Sequence, residues 1–225
     1  MTSVAALVAA AGSGQRLGLG PKAFVRLAGR TLLEIAHDAF RDLASELVVA
    51  VPAGEEERAR ELMPGAIVIA GGADRQHTVG RLLAASSSEL VLVHDVARPY
   101  LTPAVARRVL SAVAEVGAAS AALAPADTVV RATDGQVLDR EALRLIQTPQ
   151  GFRRELLLEA HRAAAAAGHS ATDDTALVRR LGHEVRLVQG SPLLAKLTAA
   201  DDLPLLEALH DVWRGQLEGD ADAAG

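Results

Sequence analysis

The chain has 225 residues, half of them apolar, with a formal net charge of −5 and no cysteine. That length suits one packed domain and is short for two; the acidic balance, with aromatics at 2%, argues against a nucleic-acid partner. Disulfides, thiolate zinc sites and cysteine nucleophiles are excluded, no apolar run approaches the ~18–20 residues of a membrane span, and no leader-like N-terminus is seen, so a cytoplasmic protein without membrane contact is expected.

In chain order, the apolar run Val4–Ala9 is short enough for a buried strand and opens into a segment with Gly12, Gly14, Gly18 and Gly20, plus Arg16 and Lys22. Glycines let backbone N–H groups approach an anion, and cations supply its counter-charge, so a strand ending this way suits a phosphate. Residues 31–43 carry Leu32, Ile35, Ala36, Ala39, Phe40 and Leu43 at helical spacing, with Thr31 and Glu34 as a capping box. A second strand is expected at 47–51, a charged helix at 55–63, a third strand at 66–70 running into Gly71-Gly72, a helix at 74–85 and a fourth strand at 90–93. Thr102-Pro103 starts a helix that runs to about residue 116, and a fifth strand follows at 120–123.

Apolar strands alternating with helices imply an α/β fold, a Rossmann-like and mainly parallel sheet with helices on both faces. Ligands of such sheets sit beyond the carboxyl ends of the strands. The first glycine loop, residues 71–74, and His94-Asp95 all follow strands, which locates a site.

The alternation lapses over residues 127–150, where Thr133-Asp134-Gly135 forms a turn signal between two β-prone runs; a projecting β-arm is expected. Helices are expected again at 153–167 and 172–181, late strands at 185–188 and 193–197, and a final helix at 200–217. One domain over residues 1–218 and a disordered tail at 219–225 complete the expectation.

Several chemistries fail on spacing. Gly12, Gly14 and Gly18 place the third glycine one residue late for a dinucleotide fingerprint, and the second strand ends in Val51-Pro52 where a ribose-binding acid belongs. Lys22, between proline and alanine, does not fit an ATPase loop, and there is no G-x-S-x-G elbow or H-E-x-x-H. What remains is a glycine loop with Arg16 and Lys22, Asp95 at a strand end, Arg98 just after it, and Lys196. Nucleotidyl transfer from a triphosphate needs such a set: backbone donors for the phosphates, a carboxylate for Mg²⁺, and cations for the charge that develops at the α-phosphorus and on departing pyrophosphate.

The ordered motifs A-A-G-x-G-x-R, P-K, G-G-x-x-R, H-D-x-A-R-P, D-T, D-R, T-P-Q, T-D-D and K-[LI]-T run from Val4 to about Leu206. Their order resembles the 2-C-methyl-D-erythritol 4-phosphate cytidylyltransferase family of the non-mevalonate isoprenoid pathway. The resemblance implies transfer of CMP from CTP to the 4-phosphate acceptor with Mg²⁺, in a homodimer. It assigns CTP contacts to Ala10, Ala11, Gly12, Gly14, Gly72, Ala73, Thr78 and Asp95, with Asp95 also the metal ligand. It assigns transition-state charge to Arg16 and Lys22, and a position near both substrates to Lys196. Acceptor contacts fall on Arg98, Thr128, Thr148 and Thr172, and on Arg140, which in the family reaches a neighbouring subunit. The chain departs from the commoner pattern at Ala23, Ala73 and Ala195, and in a shorter interval between Arg16 and Lys22. Three other readings are weighed against it: a ribitol 5-phosphate cytidylyltransferase, whose CTP half would look nearly the same; a sugar-1-phosphate or molybdopterin nucleotidyltransferase, which H-D-x-A-R-P and T-P-Q weigh against; and a domain that senses CTP without turnover.

Overall fold

The structure, a computed structural model, describes residues 2–14 and 17–222, with side chains described as far as Leu217. Strand β1 (Val4–Ala9) leads through the glycine loop and a 3₁₀ turn at Lys22–Phe24 to a small hairpin, β2 (Arg26–Leu27) and β3 (Arg30–Thr31). Helix α1 (Leu32–Phe40), β4 (Glu46–Val51), α2 (Glu56–Leu62), β5 (Ile67–Ala70), α3 (Arg75–Ala84) and β6 (Leu90–Asp95) follow. Then come α4 (Pro103–Val116), β7 (Ala118–Leu123), the short strands β8 (Val129–Val130) and β9 (Val137–Leu138), β10 (Leu145–Arg153), α5 (Arg154–Ala166), α6 (Asp174–Arg180), β11 (Arg186–Gln189) and α7 (Asp202–Asp222).

Seven strands form one sheet in the order β11-β7-β10-β6-β1-β4-β5. β1 pairs in parallel with β4 on one side and β6 on the other, and β10 alone runs antiparallel to its neighbours. The parallel α/β fold expected from alternation is present. Along β1, Ala6 and Val8 join the core under α1, α4 and α7, whereas Ala5 and Leu7 join the one under α3, α5 and α6. Burial on both faces is why these strands read as continuous apolar runs.

Local signals account for the helix starts. Thr31 Oγ1 accepts from the Glu34 N–H at 3.2 Å while Glu34 Oε2 accepts from the Thr31 N–H at 2.7 Å, the reciprocal pair that the two residue types predict. α4 has Pro103 in its first turn and ends at Gly117, whose φ of 87° closes the helix.

Three expectations need correction. The arm is smaller than residues 127–150: the projecting hairpin is β8–β9, and 145–153 form a long strand inside the sheet. Pro149 and Gly151 disguise it, since both disfavour strand interiors. The glycine is required because a Cβ there would lie 2.6 Å from Val109 Cγ1 on α4. Residues 193–197 are not a strand: Pro192–Leu194 form a 3₁₀ turn whose Leu193 N–H is capped by Ser191 Oγ at 3.2 Å. The last helix runs to Asp222 and not Leu217; residues 223–225 of the expected tail lie outside the described residues.

Candidate active site

The chain runs from β1 outward to β4 and β5, then returns to lay β6 on the other side of β1. The sheet therefore has a topological switch point beside β1, and a cleft of about 540 Å³ opens there at the carboxyl ends of the strands.

The glycine loop forms one wall. Its root is fixed by the Ala10 N–H donating to Ala50 O at 2.8 Å, and its far end by the Lys22 N–H donating to Gly12 O at 3.2 Å. Gly14 has φ +67°, and a Cβ on it would meet Gly20 O at 2.0 Å, so only glycine allows this turn. A Cβ on Gly12 would meet nothing within 4 Å, leaving its backbone open to the cleft. Lys22 Nζ donates to Leu197 O at 2.7 Å, tying the loop to the late segment that carries Lys196. Arg16 lies outside the described residues.

The opposite wall comes from the β5–α3 connection. Gly71 and Gly72 admit no side chain: a Cβ on the first would reach Ala11 Cβ at 2.2 Å, and one on the second would reach His77 Cβ at 2.5 Å. Thr78 Oγ1 accepts from the Gly72 N–H at 3.0 Å and donates to Asp74 O at 2.7 Å, which holds Gly72 and Ala73 against the cleft.

Asp95 stands at the floor, on the end of β6. Its Oδ1 accepts from Arg75 Nε at 2.9 Å and its Oδ2 from Lys196 Nζ at 2.6 Å. Burial would raise its pKa, but Arg75 and then Lys196 outweigh that and hold the carboxyl well below the usual range. Behind it, the Asp95 N–H donates to Thr148 Oγ1 at 3.1 Å, and that hydroxyl lies 3.1 Å from His94 Nδ1. His94 Nε2 lies 2.9 Å from Arg98 O, an atom that can only accept. Nε2 therefore carries the proton, Nδ1 accepts from Thr148, and the ring is neutral; burial pushes its pKa down to about 4. Arg98 Nη1 donates to Leu194 O at 2.5 Å, and the Leu197 N–H donates to Ala97 O at 2.8 Å, so the Lys196 segment is held from both sides.

Of the residues singled out in the sequence, Ala11, Gly12, Gly14, Lys22, Gly72, Ala73, Thr78, Asp95 and Lys196 line the cleft, with Ala10 buried behind it. The acceptor set is more dispersed. Thr148 is buried with its hydroxyl committed to Asp95 and His94. Thr172 is exposed just before α6, and Thr128 is exposed at the root of the hairpin. Arg140, also exposed, donates to Ala126 O at 2.7 Å and does not line the cleft of its own subunit. Sequence reasoning misses Arg75 and Asp174, although both sit in quoted motifs, G-G-x-x-R and T-D-D; spacing gives no sign that they meet.

Among the described residues no group of three or more His, Cys, Asp or Glu is placed to hold a metal ion. Mg²⁺ is commonly held by one carboxylate together with substrate phosphates and water, and a single ionised Asp95 facing a glycine loop fits that mode.

A family model described as 2-C-methyl-D-erythritol 4-phosphate cytidylyltransferase matches residues 4–211. A protein of that name from Deinococcus radiodurans is 51% identical over 211 residues, covering 91% of this chain and 88% of its own. One from Thermus thermophilus is 50% identical over 213 residues, covering 93% and 98%. The crystal structure of a cytidylyltransferase of that name, also from Thermus thermophilus, superposes with a TM-score of 0.82 at 46% identity, over 92% of this chain and 98% of that one. A 4-diphosphocytidyl-2C-methyl-D-erythritol synthase from Anaerococcus prevotii gives 0.84 at 25% identity, over 93% and 96%.

Proposed function

The chain belongs to the 2-C-methyl-D-erythritol 4-phosphate cytidylyltransferase family, and from that we propose how its own residues share the reaction. The enzyme transfers the CMP group of CTP to 2-C-methyl-D-erythritol 4-phosphate, giving 4-diphosphocytidyl-2-C-methyl-D-erythritol and pyrophosphate. The observation that carries the assignment of roles is the meeting of Lys22, Asp95 and Lys196 around one cleft beside an open glycine backbone.

In this reading the first loop, Ala10, Ala11, Gly12, Gly14 and Arg16, receives the triphosphate, with the open backbone at Gly12 and Gly14 nearest to it, while Gly72, Ala73 and Thr78 define the pocket for cytosine and ribose. An oxygen of the acceptor's 4-phosphate attacks the α-phosphorus of CTP in line. The bond from the α-phosphorus to the oxygen bridging to the β-phosphate breaks, and pyrophosphate leaves with that electron pair. The attacking phosphate is already anionic, so no protein nucleophile is required. Arg16 and Lys22 meet the negative charge that grows during transfer, where fixed cations lower the barrier most. Lys196 lies close enough to Asp95 to be shared between the nucleotide and acceptor sides.

Asp95 would hold Mg²⁺, which when bound neutralises triphosphate oxygens and the departing pyrophosphate. Arg98, Thr128, Arg140, Thr148 and Thr172 form the acceptor set. Thr148 contributes through the backbone of Asp95, since its hydroxyl is already engaged there. A homodimer is part of this reading. Val130 and Val137 of the hairpin are 52% and 65% exposed, and Arg140 just after it does not line its own subunit's cleft. A partner's cleft is the natural destination for Arg140. A cytoplasmic location, where CTP is available, is part of the same reading. The test is pyrophosphate release from CTP and Mg²⁺ with methylerythritol phosphate against ribitol 5-phosphate.

A further inference from the structure

Two motif residues without an assigned role, Arg75 and Asp174, are bonded to each other. Arg75, the first residue of α3, donates from Nη1 to Asp174 Oδ2 at 2.7 Å and from Nε to Asp95 Oδ1 at 2.9 Å. Asp174, in the first turn of α6, is 1% exposed, and its Oδ1 lies 3.0 Å from His161 Nε2 on α5. A buried carboxylate is costly unless its oxygens are satisfied, and both of these are. One guanidinium therefore spans two carboxylates, one facing the cleft and one deep between helices.

We infer that Asp174 is a positioning residue for the proposed metal ligand Asp95, acting through Arg75. Asp95, Arg75, Asp174 and Lys196 together sum to zero charge. Lys196 is the displaceable member: its side chain is 41% exposed, against 27% for Arg75. Once Lys196 turns to a phosphate, an Asp95–Arg75 pair alone would be neutral and a poor cation site. With Asp174 the remaining three groups carry one net negative charge. Arg75 then fixes the direction of the Asp95 carboxylate without cancelling it. This inference rests on the reading of Asp95 given above.

The test is Mn²⁺ affinity, measured by electron paramagnetic resonance on the full chain with α,β-methylene CTP present and no acceptor. Asp174→Asn, confirmed folded by circular dichroism and a cooperative melt, should bind Mn²⁺ at least about tenfold more weakly, as partners of metal ligands commonly do when altered. Its kcat should fall in parallel while KM for the acceptor holds. If Asp174→Asn does not fold, Arg75→Lys, whose ammonium cannot span both carboxylates, should show the same loss. Wild-type Mn²⁺ affinity in the folded variant would overturn the inference and leave the reading of Asp95 intact. A wild-type protein that binds no Mn²⁺ with the nucleotide would overturn that reading as well.

Discussion

Lys196 Nζ and Asp95 Oδ2 are 2.6 Å apart, on the carboxylate oxygen that Arg75 leaves open. In the proposed reaction that pair would come apart, freeing Lys196 for a substrate phosphate. Lys196→Ala should therefore raise KM for the acceptor and lower kcat, while the dissociation constant for CTP changes less. Arg16→Ala and Lys22→Ala should lower kcat by on the order of 10²–10³, the usual loss when one donor to a developing charge is removed. Steady-state kinetics with each substrate varied in turn separates the two patterns. Unchanged turnover in the Arg16 or Lys22 variant would remove that residue from the chemistry.

The glycine loop offers a paired contrast. In Gly14→Ala a Cβ must form at φ +67° and 2.0 Å from Gly20 O, so the loop should be displaced and the melting temperature should fall. Gly12→Ala has open space for its methyl and should melt like the parent. It should nevertheless bind CTP on the order of tenfold more weakly, about 1.4 kcal/mol, because the methyl stands where a phosphate approaches. Thermal melts and CTP titrations of the two variants check this, and a Gly12→Ala protein with parental CTP affinity would contradict the assignment.

His94 sets a pH window. Burial pushes its pKa from the ordinary 6.5 down to about 4, so between those values the unfolded chain binds more protons than the folded one. Stability should be level above about pH 6.5 and should fall as pH drops towards 4, by roughly 3 kcal/mol at about 1.4 kcal/mol per unit. Asp95 works in a lower window. Its pKa is held below the ordinary 3.8, so the stability it contributes is lost only as pH falls below that range. Urea denaturation at pH 7, 5 and 4 measures the slope, and His94→Gln should flatten the upper part. A wild-type protein equally stable at pH 7 and pH 4.5 would contradict a neutral, buried His94.

Much of the scaffold was legible from residues with strong local physics. Continuous apolar strands, the Thr31–Glu34 box and Pro103 at a helix start each act within a few residues, and each is present. The walls of the cleft were legible as well, since Gly12, Gly14 and Lys22, singled out after the first strand, line it together with Gly72, Asp95 and Lys196. What escaped depends on distant partners. β10 carries a proline and a glycine that argue against a strand, and only the close approach of Val109 and Val113 on α4 explains Gly151. The same holds for Arg75 and Asp174, 99 residues apart in sequence yet hydrogen-bonded. Thr148 also depends on distant partners: its hydroxyl accepts from the Asp95 N–H and meets His94 Nδ1, contacts that spacing does not announce.

The arm yields a prediction about assembly. Arg140 is exposed, and in its own subunit it donates to the Ala126 carbonyl. Arg140→Ala should weaken acceptor binding while CTP binding holds. Mixing it with Lys22→Ala should restore part of the activity, because one of the two sites in a heterodimer would then hold both an intact Lys22 and an intact Arg140. No rescue in verified heterodimers would count against sharing of the site.

The reaction proposed for this cleft is transfer of CMP to a methylerythritol phosphate. Its most direct test follows pyrophosphate release from CTP and Mg²⁺ with 2-C-methyl-D-erythritol 4-phosphate or ribitol 5-phosphate as sole acceptor, with phosphorus NMR of the product. Stoichiometric pyrophosphate and a diphosphate-linked cytidine product are expected with the methylerythritol substrate, and no more than background release with ribitol phosphate. Release with ribitol phosphate only, or CTP binding with no turnover on either acceptor, would contradict the proposed reaction.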